Sequence, residues 1–549
     1  MSCFLLPKTL CKELENILAS FWWRNSKEKR GIHWCTWAEL CNLKDLGGLG
    51  FRDLAKFNIA LLAKQGWRLV TNPSSLVSRL LRAKYYPASD FMRARLGSSP
   101  SNIWRSIWSA RALLEKGIRW KVGCGCLIDV WNDHWLPGPY LKKVSSNQCP
   151  DVKWVADLID SDAGCWKSDL VRAIFSLNEA LEILSIPLPM GPQPDTKVWC
   201  GEKSGSYSVR SGNRMLLPSS PNPPQNDSLF RVIWNSNCPS KMNIQCWKFI
   251  RNFVPTKINL CVRKVASDPT CVKCLQAPED IIHVLCECVL AKQVWDRISI
   301  KEPTNATDLS LHDWLTEVFI INGQHRIQEI IITLYALWFA RNKFVFEGIA
   351  MKTEEIITYV RGYCLDLCAL KSSLAPANAA SSVCWSPPSP PFVKINVDAR
   401  FNATTKSAQV GVLIRDSEGL ILGAKAAKLN HTSSSFAVEA EAVVHGVRLA
   451  LDLGFRNAVV EGDALSIIKK LHVTGEDRSE VSALVWSALH LAKSFQRISF
   501  AFVAREGNIA AHELARTPLT SATEIVWVEE APASVEALAA VDRRHFDPP

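Results

Sequence analysis

Asp398, Glu439 and Asp463 have residue types and settings suited to holding divalent cations. Phosphodiester chemistry with two such ions needs three or four carboxylates converging from separate elements, with the ions roughly 3.5–4 Å apart. Val393, Ile395 and Val397 alternate, so they share one buried face of a strand. Asp398 ends that strand on the other face, with Lys394 and Asn396, placed for a ligand or for solvent. On a helix expected from Ser434 to Leu453, steps of three and four carry Glu439 over Val443, Gly446 and Ala450, the sheet-facing side. The same steps carry Glu441 over His445, Arg448 and Asp452, the side expected to be wet. A carboxylate turned toward a sheet needs a partner, and a cation such as Mg²⁺ or Mn²⁺ is one. Val459, Glu461 and Asp463 share a face of a further strand, with Asp463 at its end before a helix.

A second constellation is Cys271-x-x-Cys274, followed by His283 and Cys288. Zinc takes four soft or borderline ligands in a tetrahedron, and a Cys-x-x-Cys turn supplies two of them from one knuckle. His283 and Cys288, on an expected helix, close the other side. Cys286 and the more distant Cys261 compete as ligands, and chance spacing in a chain of 19 cysteines is the competing explanation. A closed site of four protein ligands is structural.

The elements around these residues change character along the chain. Before residue 372 the apolar spacing is largely helical, as in Phe57–Leu69 and Ile327–Phe346. Residues 219–226 form a polar, turn-rich insert. Ser372–Pro391 has no charged residue and ends in a proline cluster, which reads as a linker. After it come three short strands, the long helix closed by Gly454, a strand at Ala458–Val460, further helices and a last strand at Ile498–Val503. That order is a mixed five-stranded α/β sheet. The acidic tail from 521 to 549 is expected to fray.

The net charge of +11 is unevenly spread: +2 in residues 392–520, −4 in the tail and +13 in residues 1–391. A basic surplus of that size suits a polyanion, with modest solubility charge as the alternative. No apolar run reaches the length of a membrane span, and the N-terminus has no signal-peptide pattern. With reduced cysteines, this points to an intracellular protein, in the nucleus or the cytoplasm. A polymerase needs paired aspartates on a hairpin, and no Asp-Asp dipeptide occurs, so no polymerase activity is expected.

Several motifs together resemble the C-terminal part of plant LINE-type (non-LTR) retrotransposon polyproteins. The segments Phe21-Trp22-Trp23, Trp34, Trp37 and Gly47-Gly48-Leu49-Gly50-Phe51 resemble the region after the polymerase core. Trp199, Gly205-Ser206-Tyr207-Ser208-Val209, Trp234, Trp247-Lys248 and Pro255-Thr256-Lys257, with the Cys/His set, resemble the reverse transcriptase zinc-binding domain. Lys394-Ile395-Asn396-Val397-Asp398, Gly411–Asp416, Ala437–Ala442, Val460–Ala464 and Arg505–Ala515 resemble a ribonuclease H-like domain in its plant retroelement form.

The resemblance implies a multidomain chain. It would comprise a thumb-like or connection-like remnant (1–140), a zinc-binding domain (195–300), a helical connector (301–371), the linker (372–391), the ribonuclease H-like domain (392–520) and the tail. It implies Mg²⁺-dependent cleavage of the RNA strand of an RNA–DNA hybrid, with Asp398, Glu439 and Asp463 as ligands. It puts His512 in place of the family's fourth carboxylate. Asp398-Ala399-Arg400 departs from the usual Asp-Gly-Ala. The alternative is a catalytically inactive relic that still binds nucleic acid.

Overall fold

The computed structural model describes residues 1–549 apart from 25–30, 139, 218–227, 304–308, 375–383, 403–406, 430–431, 433, 474, 520–522 and 545–549. The polar insert at 219–226 and the middle of the linker thus lie outside the described residues. The chain forms two compact units. One comprises Met1–Leu5, Ile59–Leu216 and Ala379–Pro549; the other comprises Leu6–Asn58 and Leu217–Asn378. Residues 1–140, read as one segment from sequence, are therefore shared between them. The physical reason is visible in both halves. Trp23, Leu40 and Leu49 share a core with Phe230 and Trp247, whereas Ile118–Lys121 pairs antiparallel with Thr196–Trp199.

The second unit is helical. Ser240–Ile250, Val289–Arg297, Leu311–Asn322, Ile327–Glu347 and Thr353–Leu374 surround a core that includes Trp295, Trp314, Ile330, Ile331 and Leu334. The helix Ile327–Glu347 is buried on most of its circumference, which accounts for its apolar run. No described helix is long and apolar enough to cross a membrane.

In the first unit the C-terminal part is an α/β domain. Its strands are β1 (Val393–Asn402), β2 (Ser407–Arg415), β3 (Ile421–Leu429), β4 (Asn457–Gly462), β5 (Arg497–Phe502) and β6 (Glu524–Val528). The sheet order is β6-β3-β2-β1-β4-β5; β4 and β5 run parallel to β1, and the other neighbours pair antiparallel. The helices are α1 (Ser435–Asp452), α2 (Leu465–Leu471), α3 (Ser482–Ala492), α4 (Ile509–Leu514) and α5 (Ala533–Arg544).

The helix α1 covers one face through Val393, Ile395, Val397, Val410 and Val412. On the other face, α4 and α5 pack through Ala510, Leu514 and Val535 against Leu413 and Ala426. Two glycines allow these close approaches: a Cβ on Gly446 would meet Val397 at 2.6 Å, and one on Gly411 would meet the α4 backbone at 2.6 Å.

The sheet has six strands rather than five, because the tail adds β6 and α5 instead of fraying. Alternation in Glu524–Val528 half-buries Ile525 and Trp527 against β3, and α5 buries Val535 and Ala539. The linker reading also needs amendment at both ends. Residues up to Leu374 are helical, and Trp385 is 1% exposed in the domain core.

Candidate metal centres

Three elements converge where β4 ends beside the middle of β1; Asp398 lies within its strand, which pairs on to Asn402, and not at its end as alternation implied. Parallel register sets Val397 beside Gly462, so the next residues, Asp398 and Asp463, lie side by side. Ser434 caps α1 by accepting from the Ala437 amide at 3.2 Å, and the first turns of that helix bring Glu439 above them. Carboxylate oxygens of Asp398, Glu439 and Asp463 all lie within 4.8 Å of one another. Burial, followed by the charges of Asp398 and Asp463, pushes the Glu439 carboxyl up to about 8. Burial and then Asp463 likewise raise Asp398, against the lowering effect of His512. Crowded, half-desolvated carboxylates of this kind fit divalent cations, which relieve their repulsion.

His512, on α4, stands beside this cluster rather than in it. Its Nδ1 lies 2.5 Å from Asp398 Oδ2, and its Nε2 lies 2.9 Å from Arg505 Nη2. Arginine only donates, so Nε2 accepts and Nδ1–H donates to Asp398. Glu441 is outside the cluster. It is half-buried, not wet as helical phase implied, and burial pushes its carboxyl up to about 7 despite Arg448. One turn further along α1, His445 lies beside Lys425, which pairs with Glu524 at 2.9 Å.

The polar face of β1 is not open to solvent either. Lys394, Asn396 and Asp398 are 4%, 0% and 3% exposed. The residues that cover this face were missed as a group: Trp385, Arg415, Glu461, Asn508 and Asp542. A signal was available. A strand in the middle of a sheet covered on both faces must pair every polar side chain it carries.

In the second unit, Cys271, Cys274, His283 and Cys288 bring three sulfurs and an imidazole nitrogen within 4.8 Å of one another. Cys274 Sγ lies 3.2 Å from His283 Nε2. Cys286 and Cys261 are not part of the set. An α-helix turns about 100° per residue, so positions five apart diverge. His283–Glu287 is instead a π-turn, in which the Cys288 amide donates to the His283 carbonyl at 2.7 Å, and this brings the two ligands to one side. Asp280 Oδ1 accepts the His283 amide at 2.7 Å. Next to it, the fully buried Glu279 pairs with Arg341 at 2.5 Å and also accepts from the Lys257 amide, tying the knuckle to the helix Ile327–Glu347. A compact S₃N donor set fits zinc.

The fold and the two clusters define a chain with a Cys/His module ahead of a ribonuclease H-like domain. Comparison with known proteins agrees. The family described as zinc-binding in reverse transcriptase matches residues 207–295, and the family described as reverse transcriptase-like matches residues 396–517. An uncharacterized mitochondrial protein of Arabidopsis thaliana is 49% identical over 137 residues, covering 25% of this chain and 89% of that protein. The Arabidopsis thaliana "Putative ribonuclease H protein" is 25% identical over 535 residues, covering 94% of this chain and 85% of that protein. The chain belongs to this reverse transcriptase-related family, with a domain order consistent with the C-terminal part of a retroelement polyprotein.

Among solved structures, the ribonuclease H1 of the archaeon Halobacterium salinarum matches at 21% identity and a TM-score of 0.22, covering 23% of this chain and 95% of that one. LC11-RNase H1 in complex with an RNA/DNA hybrid matches at 19% identity and a TM-score of 0.20, covering 23% and 93%.

Proposed function

We propose that this protein is a metal-dependent ribonuclease that hydrolyses the RNA strand of an RNA–DNA hybrid. The observation that carries this reading is the convergence of Asp398, Glu439 and Asp463 from three separate elements in a ribonuclease H-like sheet. A pair of Mg²⁺ or Mn²⁺ ions held there supplies an activated water and stabilises the leaving 3′ oxygen. The three carboxylates hold the cations. His512 holds Asp398 in orientation by donating to Oδ2 and leaves its other oxygen for a cation. With His512 where relatives carry a fourth carboxylate, the site has one negative charge fewer, so the second cation binds more weakly. A-form geometry and 2′-hydroxyls, not base sequence, mark the substrate.

Cys271, Cys274, His283 and Cys288 bind one structural zinc. The basic surplus of residues 1–391 contributes salt-sensitive affinity for phosphates, and binding that ignores ionic strength contradicts this. The chain derives from the C-terminal part of a LINE-type retrotransposon polyprotein. The deciding experiment is cleavage of a labelled hybrid by the full chain with Mg²⁺. A protein that binds hybrid but never cuts it is the inactive relic instead.

A further inference from the structure

Asn396 sits in the middle of β1, fully buried, two residues before Asp398. A side-chain amide offers two donors and two acceptor positions, and all four are engaged. Its Oδ1 accepts from Trp385 Nε1 at 2.9 Å and from Arg415 Nη2 at 3.0 Å. Its Nδ2 donates to Glu461 Oε2 and to Asn508 Oδ1, each at 3.3 Å. Indole and guanidinium nitrogens only donate, so these neighbours dictate which way the amide faces.

Each partner belongs to a different segment. Glu461 lies on β4, two residues before Asp463, and its other oxygen pairs with Lys394 at 2.7 Å. Asn508 leads into α4, which carries His512. It also donates to the Val397 carbonyl at 2.9 Å, the peptide group joined to Asp398. Arg415 ends β2, lies 3.7 Å from the centre of the Trp385 ring, and pairs with Asp542 of α5 at 2.6 Å.

We propose that Asn396 is the positioning residue of the carboxylate centre. By bridging Glu461 and Asn508 it fixes Asp463 and His512 relative to Asp398, and the Arg415–Asp542 pair makes the C-terminal helix part of the same support. Three crowded carboxylates repel one another, so a cation site survives there only if the backbones bearing them are held from behind. Lys394 and Arg415 balance Glu461 and Asp542, so the buried layer does this without net charge. The inference rests on reading the carboxylate cluster as a cation site.

The test is Asn396→Asp in the full chain, read by Mn²⁺ titration with electron paramagnetic resonance. Asp398→Asn marks the specific binding component, and thermal melts report folding. The substitution is isosteric and keeps both acceptor contacts, but it sets a carboxylate against the oxygens of Glu461 and Asn508. Extra negative charge by itself tightens a nearby cation, so weaker binding must come from displaced ligands.

The expected result is a loss of Mn²⁺ affinity of roughly 10–100-fold, with kcat on hybrid falling and KM little changed. The double variant Asn396→Asp with Glu461→Gln restores a donor–acceptor pair with reversed polarity and the parent net charge, and should recover most of the loss. If Asn396→Asp does not fold, Asp542→Asn at the rim of the layer should give a smaller loss in the same direction. A folded Asn396→Asp protein with unchanged Mn²⁺ affinity and kcat overturns the proposal, as does a double variant no better than the single, or unaltered binding in Asp542→Asn. Wild-type protein that binds Mn²⁺ through Asp398 but leaves hybrid uncut removes only the ribonuclease reading, and the affinity shift still decides the positioning role. Absence of Asp398-dependent binding overturns both.

Discussion

His512 and Asp398, 114 residues apart, share a hydrogen bond of 2.5 Å. Arg505 on the far side of the imidazole sets its tautomer, so the ring acts as a donor to the carboxylate. His512→Ala should therefore slow hybrid cleavage by roughly tenfold without abolishing it, because Asp398 keeps its charge and loses only its orientation. Single-turnover kinetics check this. Activity as low as in Asp398→Asn would mean that the imidazole itself is indispensable.

Glu441→Gln separates the two helix glutamates. Its wild-type carboxyl titrates near 7 in the folded protein instead of the usual 4.5 because of burial. The folded state then holds a proton that the unfolded chain has released, so this group lowers stability as pH rises from 4.5 through 7. The Gln variant should match wild type in Tm near pH 4 and exceed it at pH 8, while still cutting hybrid. Loss of cleavage in Glu441→Gln with cleavage retained in Glu439→Gln would reverse the assignment.

Glu439 predicts the pH dependence of cation binding. With its carboxyl pushed up to about 8, a cation must displace its proton at neutral pH. The half-saturating Mg²⁺ concentration should fall as pH rises toward 8, by at most roughly tenfold per unit for one proton, and level off above that. The metal-free protein should lose stability over the same interval. An Mg²⁺ requirement that does not change between pH 6 and 8 would remove Glu439 from the ligand set.

How much could be read from sequence depended on whether neighbours beyond the local element mattered. Alternation in Val393–Val397 and helical phase around Gly446 are local, and they carried the placing of Asp398 and Glu439. Glu441 shows where phase fails: it is half-buried on the side of α1 that phase marks as wet. Trp385 was hidden too. Proline and serine around it read as linker, and only the buried Asn396 and Arg415 reveal that the indole has a place in the core. The approach of His283 to Cys288 depends on a π-turn, which no spacing rule for α-helices describes.

Metal analysis of the purified full chain should find about one zinc per molecule. Cys271→Ser should lose it and lower the stability of the helical unit, since Cys271 is buried at the knuckle. Zinc content unchanged in that variant would exclude Cys271 as a ligand, and Cys286 would then be the sulfur to examine.

The central claim is that the carboxylate cluster cuts RNA paired to DNA. The most direct measurement is cleavage of an end-labelled RNA–DNA hybrid by the full chain, wild type beside Asp398→Asn, with Mg²⁺ and with chelator. The account predicts RNA fragments ending in 3′-hydroxyls from wild type with Mg²⁺, and none from the variant or in chelator. Equal cleavage by Asp398→Asn, or hybrid bound yet uncut by folded wild type in Mg²⁺ and in Mn²⁺, would contradict it.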